Sequence, residues 1–297
     1  MRVKIRFSFS YWSDEHVGAM EKIAPLLHEK SARLLQYSTS ETPSHMNGRV
    51  RYRTHHSLDV YADDERYRLL KQQLDSMGLT HLELKEAVYD NSELDAAEFL
   101  QMVPAGYWGY PKPEDGYLNE SYDTSSMCPH CGQGLTQVKP LLVGRPGRFG
   151  KRDIAALNWE FEWLVTSRLK GLILDAGLTG AEFWPVLYFR DRSPIKEVQE
   201  LKITNVLAPM SPSTEFDVVE EEPLKKCGHT PRIFIEHQIR YKREDLERFQ
   251  DFNLTNEYLG GGWFKLKRWS VVSSSVYKLF RQNKIGRVKF HPVITEN

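Results

Sequence analysis

Cysteine is scarce in this chain, whose 297 residues include three. So few cysteines, in an odd number, exclude the disulfide framework that holds small secreted domains together. Long apolar runs are missing too, since no stretch approaches the roughly 18–20 residues that a membrane-spanning helix needs. Met1 to Phe7 alternates charged and apolar residues, unlike the continuous apolar segment of a signal peptide. We therefore expect a protein of the cytoplasm that has no contact with membranes.

Neither sign of charge is in excess, because 40 Lys and Arg balance 40 Asp and Glu. The distribution is uneven. Asp59 to Asp123 holds fifteen acidic and five basic residues, whereas Trp263 to His291 holds eight basic residues and no acidic one. Such segments favour partners of opposite charge. The alternative is that the two segments neutralise each other within the fold.

Catalytic signatures are the third absence. The chain has no His-Glu-x-x-His, no Gly-x-Ser-x-Gly and no dinucleotide-binding fingerprint. We therefore expect that the protein is not an enzyme. An undetected active site in the N-terminal region remains the alternative.

The first 105 residues alternate between strand and helix patterns. Arg2 to Phe9 and Leu79 to Val88 alternate apolar and polar residues, which predicts strands, and residues 50–61 look extended. Helical spacing begins near three capping residues: Ser13, Asp63 or Asp64, and Ser92. The third helix is predicted to continue through Phe99 to Val103. This order predicts a small N-terminal α/β layer, residues 1–105, within an α+β protein.

Residues 106–126 are rich in Pro and Gly, which predicts a loop before a C-terminal domain at 127–297. Four aromatic residues in this loop stand out: Tyr107, Trp108, Tyr110 and Tyr117. A long loop with this much aromatic area is usually docked against something. The pattern predicts either packing between domains or a partner-binding surface.

An internal repeat runs through the C-terminal half. Leu164 to Leu187 aligns without a gap onto Val271 to Ile294, 107 positions later, with identities that include Pro185/Pro292. Each copy has the pattern of a strand, a helix that starts at Ser or Thr, and a second strand. The C-terminal domain is therefore predicted to contain two strand-helix-strand repeats. Shared secondary structure without a repeat is the alternative.

The cysteines form the sharpest local motif. Cys128 and Cys131 enclose Pro-His and are followed by glycine, which is the pattern of a zinc knuckle. The third thiol, Cys227, precedes a glycine and then His229. We predict a structural zinc bound by Cys128, Cys131, Cys227 and His229. The weaker candidates for the fourth ligand are His130 and His237, and a redox pair or free thiols remain alternatives.

These motifs together resemble a known family. Cys128-Pro-His-Cys-Gly, Lys226-Cys-Gly, and Val271-Val-Ser through Pro292-Val are similar to the double-CXXCG motif proteins. That family includes immunity proteins of bacterial polymorphic toxin systems, and the resemblance covers Cys128 to Ile294. Leu224 departs from the pattern, because the family has its third cysteine there.

The resemblance implies a cytoplasmic immunity protein that binds the toxin domain of a cognate secreted effector. It would neutralise the toxin by direct contact and catalyse nothing. We expect the interface on the acidic, aromatic loop with Tyr107, Trp108, Tyr110 and Tyr117, because buried aromatic anchors slow dissociation. The alternative function is a zinc-ribbon protein that binds nucleic acid through Trp263 to His291. The apolar positions of that segment are expected in the core, so nucleic acid is not the expected partner.

Overall fold

The computed structural model is a mixed α+β protein, mostly sheet with few helices. It describes residues 2–12, 21, 23, 25, 36–46, 49–145, 148–160, 162–218, 227–229, 232–234, 238–260 and 266–297. The chain divides into two compact units, residues 1–90 and 91–297. None of the helices in the described part is both long and apolar enough to cross a bilayer.

The first unit contains one antiparallel sheet with the strand order β2-β3-β1-β4. Its strands are β1 (Arg2–Trp12), β2 (Gln36–Met46), β3 (Arg49–Tyr61) and β4 (His81–Val88), and helix α1 (Glu65–Ser76) precedes β4. The predicted strands at 2–9, 50–61 and 79–88 correspond to β1, β3 and β4, whereas the sequence did not predict β2. The helix predicted from Ser13 falls mostly outside the described residues, of which Glu21, Ile23 and Pro25 are helical.

Alternation along β1 gives the sheet of the first unit a buried face. Ile5, Phe7 and Phe9 are buried and share a core cluster with Leu70 and Leu74 of α1. The buried residues of β1 are two positions apart, as in a strand, and those of α1 are four positions apart, as on one face of a helix. Helix α1 begins where the sequence placed it. The Asp64 side chain accepts a hydrogen bond from the backbone N–H of Arg66 at 3.0 Å and caps the first turn.

The second unit contains the remaining elements, in several small sheets. Its helices are α2 (Asn91–Ala96), α3 (Tyr117–Ser121), α4 (Ser167–Asp175) and α5 (Ser274–Gln282). Its early strands are β5 (Phe99–Pro104), β6 (Tyr122–Asp123), β7 (Thr136–Gln137), β8 (Leu142–Val143), β9 (Ile154–Ala156), β10 (Trp163–Thr166), β11 (Ala181–Tyr188) and β12 (Pro194–Ile203). Its late strands are β13 (Phe216–Val218), β14 (Arg232–Phe234), β15 (Arg240–Lys242), β16 (Phe252–Leu254), β17 (Ser270–Ser273), β18 (Val288–Pro292) and β19 (Ile294–Glu296).

The prediction of a helix through Phe99 to Val103 is wrong, because this segment forms strand β5. Helix α2 ends at Ala96, and β5 then pairs antiparallel with β17 and with β18. Leu100 and Met102 are buried in the hydrophobic cluster that also contains Leu169 and Val276. Tertiary pairing has overridden a local pattern that was compatible with helix. Residues 91–105 lie in the second unit.

Two strand-helix-strand segments organise the second unit. In one, β10, α4 and β11 follow each other, and β12 lies between the two strands in the order β8-β11-β12-β10-β9. In the other, β17, α5 and β18 follow each other, and β5 lies between the strands in the order β16-β17-β5-β18. The inserted strand is antiparallel to both neighbours in each case, so β10 is parallel to β11 and β17 is parallel to β18.

The helices of these two segments, α4 and α5, both start at a hydroxyl N-cap. Thr166 accepts from the N–H of Leu169, and Ser273 accepts from the N–H of Val276. Each capping hydroxyl also donates to a carboxylate that precedes an edge strand, at 3.0 Å to Asp153 and 2.7 Å to Asp251. The two segments share one hydrophobic cluster that includes Val165, Leu169, Ile173, Val272, Val276 and Phe280.

Candidate metal centre

The hairpin of β6 and β7 carries the first two cysteines on a tight loop. The N–H of Cys128 donates to the Gln133 carbonyl, and the N–H of Gly132 donates to the Cys128 carbonyl, both at 2.8 Å. Gly132 and Gly134 have φ of 79° and 92°, in the left-handed region that glycine tolerates. A Cβ at Gly134 would lie 2.2 Å from the Ser126 carbonyl oxygen, so the loop admits no side chain there.

The segment 227–229 brings the other two candidate ligands to this loop. The ligand atoms of Cys128, Cys131, Cys227 and His229 all lie within 4.8 Å of one another. Zinc–sulfur bonds of about 2.3 Å place the ligand atoms of a tetrahedral site within about 4 Å of each other, so a small contraction suffices. The predicted convergence of these four residues is therefore confirmed, and together they could bind a metal ion.

The four ligands differ in their contact with solvent. Cys131 is buried beside Leu266, whose backbone N–H donates to the Cys131 carbonyl at 3.0 Å. Cys128 and Cys227 are half-buried, and His229 is exposed. The Nδ1 atom of His229 lies 3.5 Å from the Cys131 sulfur. An ion at this place would lie at the surface, with one hydrophobic wall beneath it.

The backbone of the loop makes one of the two thiols acidic. The N–H groups of Cys131 and His130 point at the Cys128 sulfur and lower the pKa of that thiol to about 6. Burial has the opposite effect on Cys131 and raises its pKa to about 12. Neutral pH thus favours one thiolate, and a divalent cation would stabilise the second.

The alternatives for these cysteines find less support in the geometry. Residues 124–135 form turns without a helix, so Cys128 does not sit at a helix N-terminus as a thioredoxin-like pair would. His130 is exposed and is not a member of the cluster. His237 lies outside the described residues.

The aromatic loop separates into surface and core residues. Tyr107 and Tyr110 are 42% and 49% exposed, and Tyr117 is half-buried. Trp108 is 6% exposed and packs edge-on against Phe149 at 5.3 Å between ring centroids. Its backbone N–H donates to the Ala156 carbonyl at 2.9 Å, which turns the indole inward. The interpretation of Trp108 as a surface anchor is therefore corrected, since it is a core residue.

Trp159, and not Trp108, is the exposed tryptophan beside the surface tyrosines. Its indole is 39% exposed and contacts the rings of Tyr110 and Tyr117 at centroid distances of 5.1 and 6.1 Å. Its φ of 70° is strained for a bulky residue. The neighbouring Asn158 holds the turn by donating its side-chain amide to the Gly109 carbonyl at 2.7 Å. Nothing in the local sequence distinguishes this tryptophan from a core residue.

Carboxylates of the acidic stretch are engaged within the second unit. Glu98 pairs with Arg243 and Glu120 with Arg192, each at 3.1 Å. Asp95 pairs with Arg281 of the basic segment. The Asp95–Arg281 pair agrees with the alternative that the acidic and basic segments neutralise each other, whereas Arg243 and Arg192 lie outside the basic segment.

Comparison of the chain with protein-family models and with curated protein sequences gave no match.

Proposed function

We propose that this chain is an immunity-type binding protein that neutralises a toxin domain in the cytoplasm by direct contact, and that a structural zinc ion holds it together. The observation that carries the proposal is the four-ligand cluster of Cys128, Cys131, Cys227 and His229. It is the element through which the chain resembles the double-CXXCG motif family. Leu224 removes one cysteine of that pattern, and His229 supplies a fourth ligand in its stead.

The donor set favours zinc in a structural role. Thiolate and imidazole are ligands that zinc prefers, and four protein ligands fill a tetrahedral shell. A catalytic zinc keeps an open position for water, for which a complete protein shell leaves no room. We therefore assign the ion to fastening the 227–229 segment onto the knuckle.

The partner surface in this proposal consists of Tyr107, Tyr110, Tyr117 and Trp159, which we call the aromatic patch. Exposed Tyr and Trp side chains are enriched among the residues that dominate binding energy. The turn at Asn158 and the ring contacts preorganise Trp159, which reduces the entropy lost on binding. A rigid, exposed indole in a strained backbone is typical of a functional position rather than a stability device.

We also propose that the two strand-helix-strand segments are copies of one unit. The proposal is supported by the strand inserted between the two strands of each segment, by capping hydroxyls at Thr166 and Ser273, and by carboxylates before both edge strands. Their helices pack in one shared cluster. The pair would give the second unit a rigid frame for the knuckle and the aromatic patch.

The nucleic-acid alternative draws no specific support from the basic segment. Lys267 is paired with the buried Glu160, and Arg281 with Asp95. Val276, Tyr277 and Phe280 of the same segment are buried.

Co-expression tests the proposed function. Cells that make a toxin encoded beside this gene are expected to survive when they also make the intact protein, and to die without it. Size-exclusion chromatography of the mixed proteins is expected to show a one-to-one complex. Absence of protection against every neighbouring toxin would reject the function, whatever the state of the metal site.

A further inference from the structure

A buried polar network lies beneath the hairpin that carries the metal ligands. Tyr122 of β6 and Gln137 of β7 are register partners at the base of this hairpin. The Gln137 side-chain amide donates to Glu200 Oε2 at 2.7 Å, and Lys202 Nζ donates to Gln137 Oε1 at 2.5 Å. Glu200 and Lys202 belong to β12, so these bonds fasten the hairpin to the five-stranded sheet.

Two carboxyls in this network face a single ammonium. Glu200 is fully buried, and its Oε1 has no hydrogen-bond partner within the described residues. Lys202 Nζ lies 4.0 Å from that oxygen. Glu162, which directly precedes β10, is the second carboxyl. Because Trp163 pairs with Leu201 and Leu164 with Glu200, the register places Glu162 opposite Lys202, on the face of the sheet that carries Glu200. The other groups nearby are Tyr117, and Lys267 with its partner Glu160; the Lys267 ammonium lies 5.5 Å from the centroid of the Tyr122 ring.

The charge balance of this network requires a proton. Two ionised carboxylates beside one ammonium would leave a net negative charge in a desolvated place, and the penalty for a buried unpaired charge is several kcal/mol. Lys267 does not compensate, because Glu160 already engages it. One proton retained by the pair Glu162 and Glu200 makes the network neutral, and like charges at close range favour this sharing.

We propose that Glu162 and Glu200 hold one proton between them at neutral pH. Loss of this proton at alkaline pH weakens the attachment of the β6–β7 hairpin to the five-stranded sheet. The directions of the pKa shifts agree with this assignment. Burial, reinforced by Glu162, raises the pKa of Glu200 to about 8. Burial also raises the pKa of Glu162, against the opposing effect of Lys202. This pH dependence is separate from the proposed toxin binding and does not depend on it.

The sign of the pH dependence follows from proton counting. The unfolded carboxyl releases its proton near pH 4.3, whereas the folded pair keeps one up to about pH 8. Between these values the folded state binds more protons, so stability falls as pH rises. One proton increases the unfolding equilibrium constant by up to about tenfold per pH unit in this window, and the effect levels off above it.

The experiment compares the full-length protein with Glu200→Gln, which keeps the hydrogen-bonding shape and removes the titration. Denaturant unfolding is measured at pH 5.5, 7 and 8.5. The unfolding equilibrium constant of the variant is expected to rise less steeply with pH, by the contribution of about one proton. Glu247→Gln, at an exposed glutamate, is the matched control and is expected to behave like the parent. Hydrogen exchange of the 122–137 hairpin is expected to rise with pH in the parent more than in the variant.

A direct readout detects the proton itself. The infrared carbonyl band of a buried protonated carboxyl is expected in the parent at pH 6.5, and its loss is expected to titrate near pH 8. Glu162→Gln serves for the unfolding measurements if Glu200→Gln does not fold. Equal pH dependence in parent and variant, or no protonated-carboxyl band in the parent, would overturn the proposal.

Discussion

The indole N–H of Trp163 donates a hydrogen bond of 2.9 Å to the hydroxyl of Ser270, and both side chains are buried. The two residues are the first of β10 and of β17, so they open the two strand-helix-strand segments. The two positions are 107 residues apart, the same offset as the sequence alignment of the two segments, so the contact agrees with the proposed repeat. The polar bond thus fixes the register of one segment against the other within an apolar core.

Ser270→Ala is predicted to destabilise the second unit by about 1–3 kcal/mol, because the buried indole N–H loses its acceptor. Denaturant unfolding followed by tryptophan fluorescence measures the change. Ser275→Ala, at an exposed position of α5, is the control and should change stability by less than about 0.5 kcal/mol. Equal effects of the two substitutions would show that the bond contributes nothing.

Purified protein is predicted to contain about one zinc per chain, and Cys131→Ser is predicted to lose the metal and destabilise the second unit. Elemental analysis and thermal unfolding before and after chelation measure both effects. His130→Ala changes an exposed residue of the same loop outside the ligand cluster and should retain the metal. Well under half an equivalent of any metal in untreated, folded protein would contradict the site.

The two capping hydroxyls offer a test of the proposed repeat. Thr166→Ala and Ser273→Ala are each predicted to cost about 1 kcal/mol, since each removes a helix cap and one hydrogen bond to a carboxylate. Urea unfolding of both variants measures the costs. If the segments are equivalent, the two costs agree within about 0.5 kcal/mol. Ser167→Ala, one residue after the first cap, is the control.

Acid is predicted to destabilise the first unit through Asp59. Hydrogen bonds from Arg6, at 2.9 Å and 3.2 Å, lower the pKa of this buried carboxyl, and Lys4 assists. The stabilisation is present above the unfolded pKa of about 3.9 and is lost as pH falls through the lower folded value. Asp59→Asn should lower the free energy of unfolding by about 2 kcal/mol at pH 7. It should also make that free energy depend less on pH in the acid range.

The control for this pair is Asp63→Asn. Asp63 also pairs with an arginine, Arg2, at 2.7 Å, but the two side chains are 66% and 53% exposed. Solvent screens such a pair, so the substitution should destabilise the first unit clearly less than Asp59→Asn does. Circular dichroism against pH distinguishes the two variants. Similar costs would mean that burial does not decide the strength of the Asp59 pair.

Two tryptophans of the second unit are predicted to respond oppositely. Trp108→Ala should destabilise the fold by about 3–5 kcal/mol, because it empties a packed core position. Trp159→Ala should leave the melting temperature nearly unchanged and weaken partner binding by about 2 kcal/mol or more. Thermal unfolding and isothermal titration separate these effects. Full binding by Trp159→Ala would remove the aromatic patch from the interface.

Local chemistry explains which features the sequence predicted. The knuckle was predictable, because two cysteines at short spacing and one remaining thiol leave few ligand combinations. The Asp64 cap and the alternation of β1 were predictable for the same reason, since neighbours along the chain decide them. The position of Trp108 was not, because its burial depends on a backbone bond to Ala156, far away in sequence.

Other features depended on partners that a single segment does not reveal. Strand β2 is polar and has little strand propensity, and it is ordered by pairing along its whole length with β3. Residues 99–103 fit a helix until β17 and β18 are present on both sides. Charge alone would favour an exposed position for Glu200, but its side chain is buried and accepts a hydrogen bond from Gln137 of the hairpin.

Strand β5 has a consequence for how the chain is made. Its last residue, Pro104, precedes the first residue of β17, Ser270, by 166 positions. Until β17 and β18 have been synthesised, both hydrogen-bonding edges of β5 lack these partners, and the first strand-helix-strand segment can form before the second. Non-local pairing of this kind slows folding and exposes apolar strand edges to aggregation. The sheet that holds β5 thus closes only after β17 and β18 have been synthesised, and variants truncated before Ser270 should accumulate as insoluble protein.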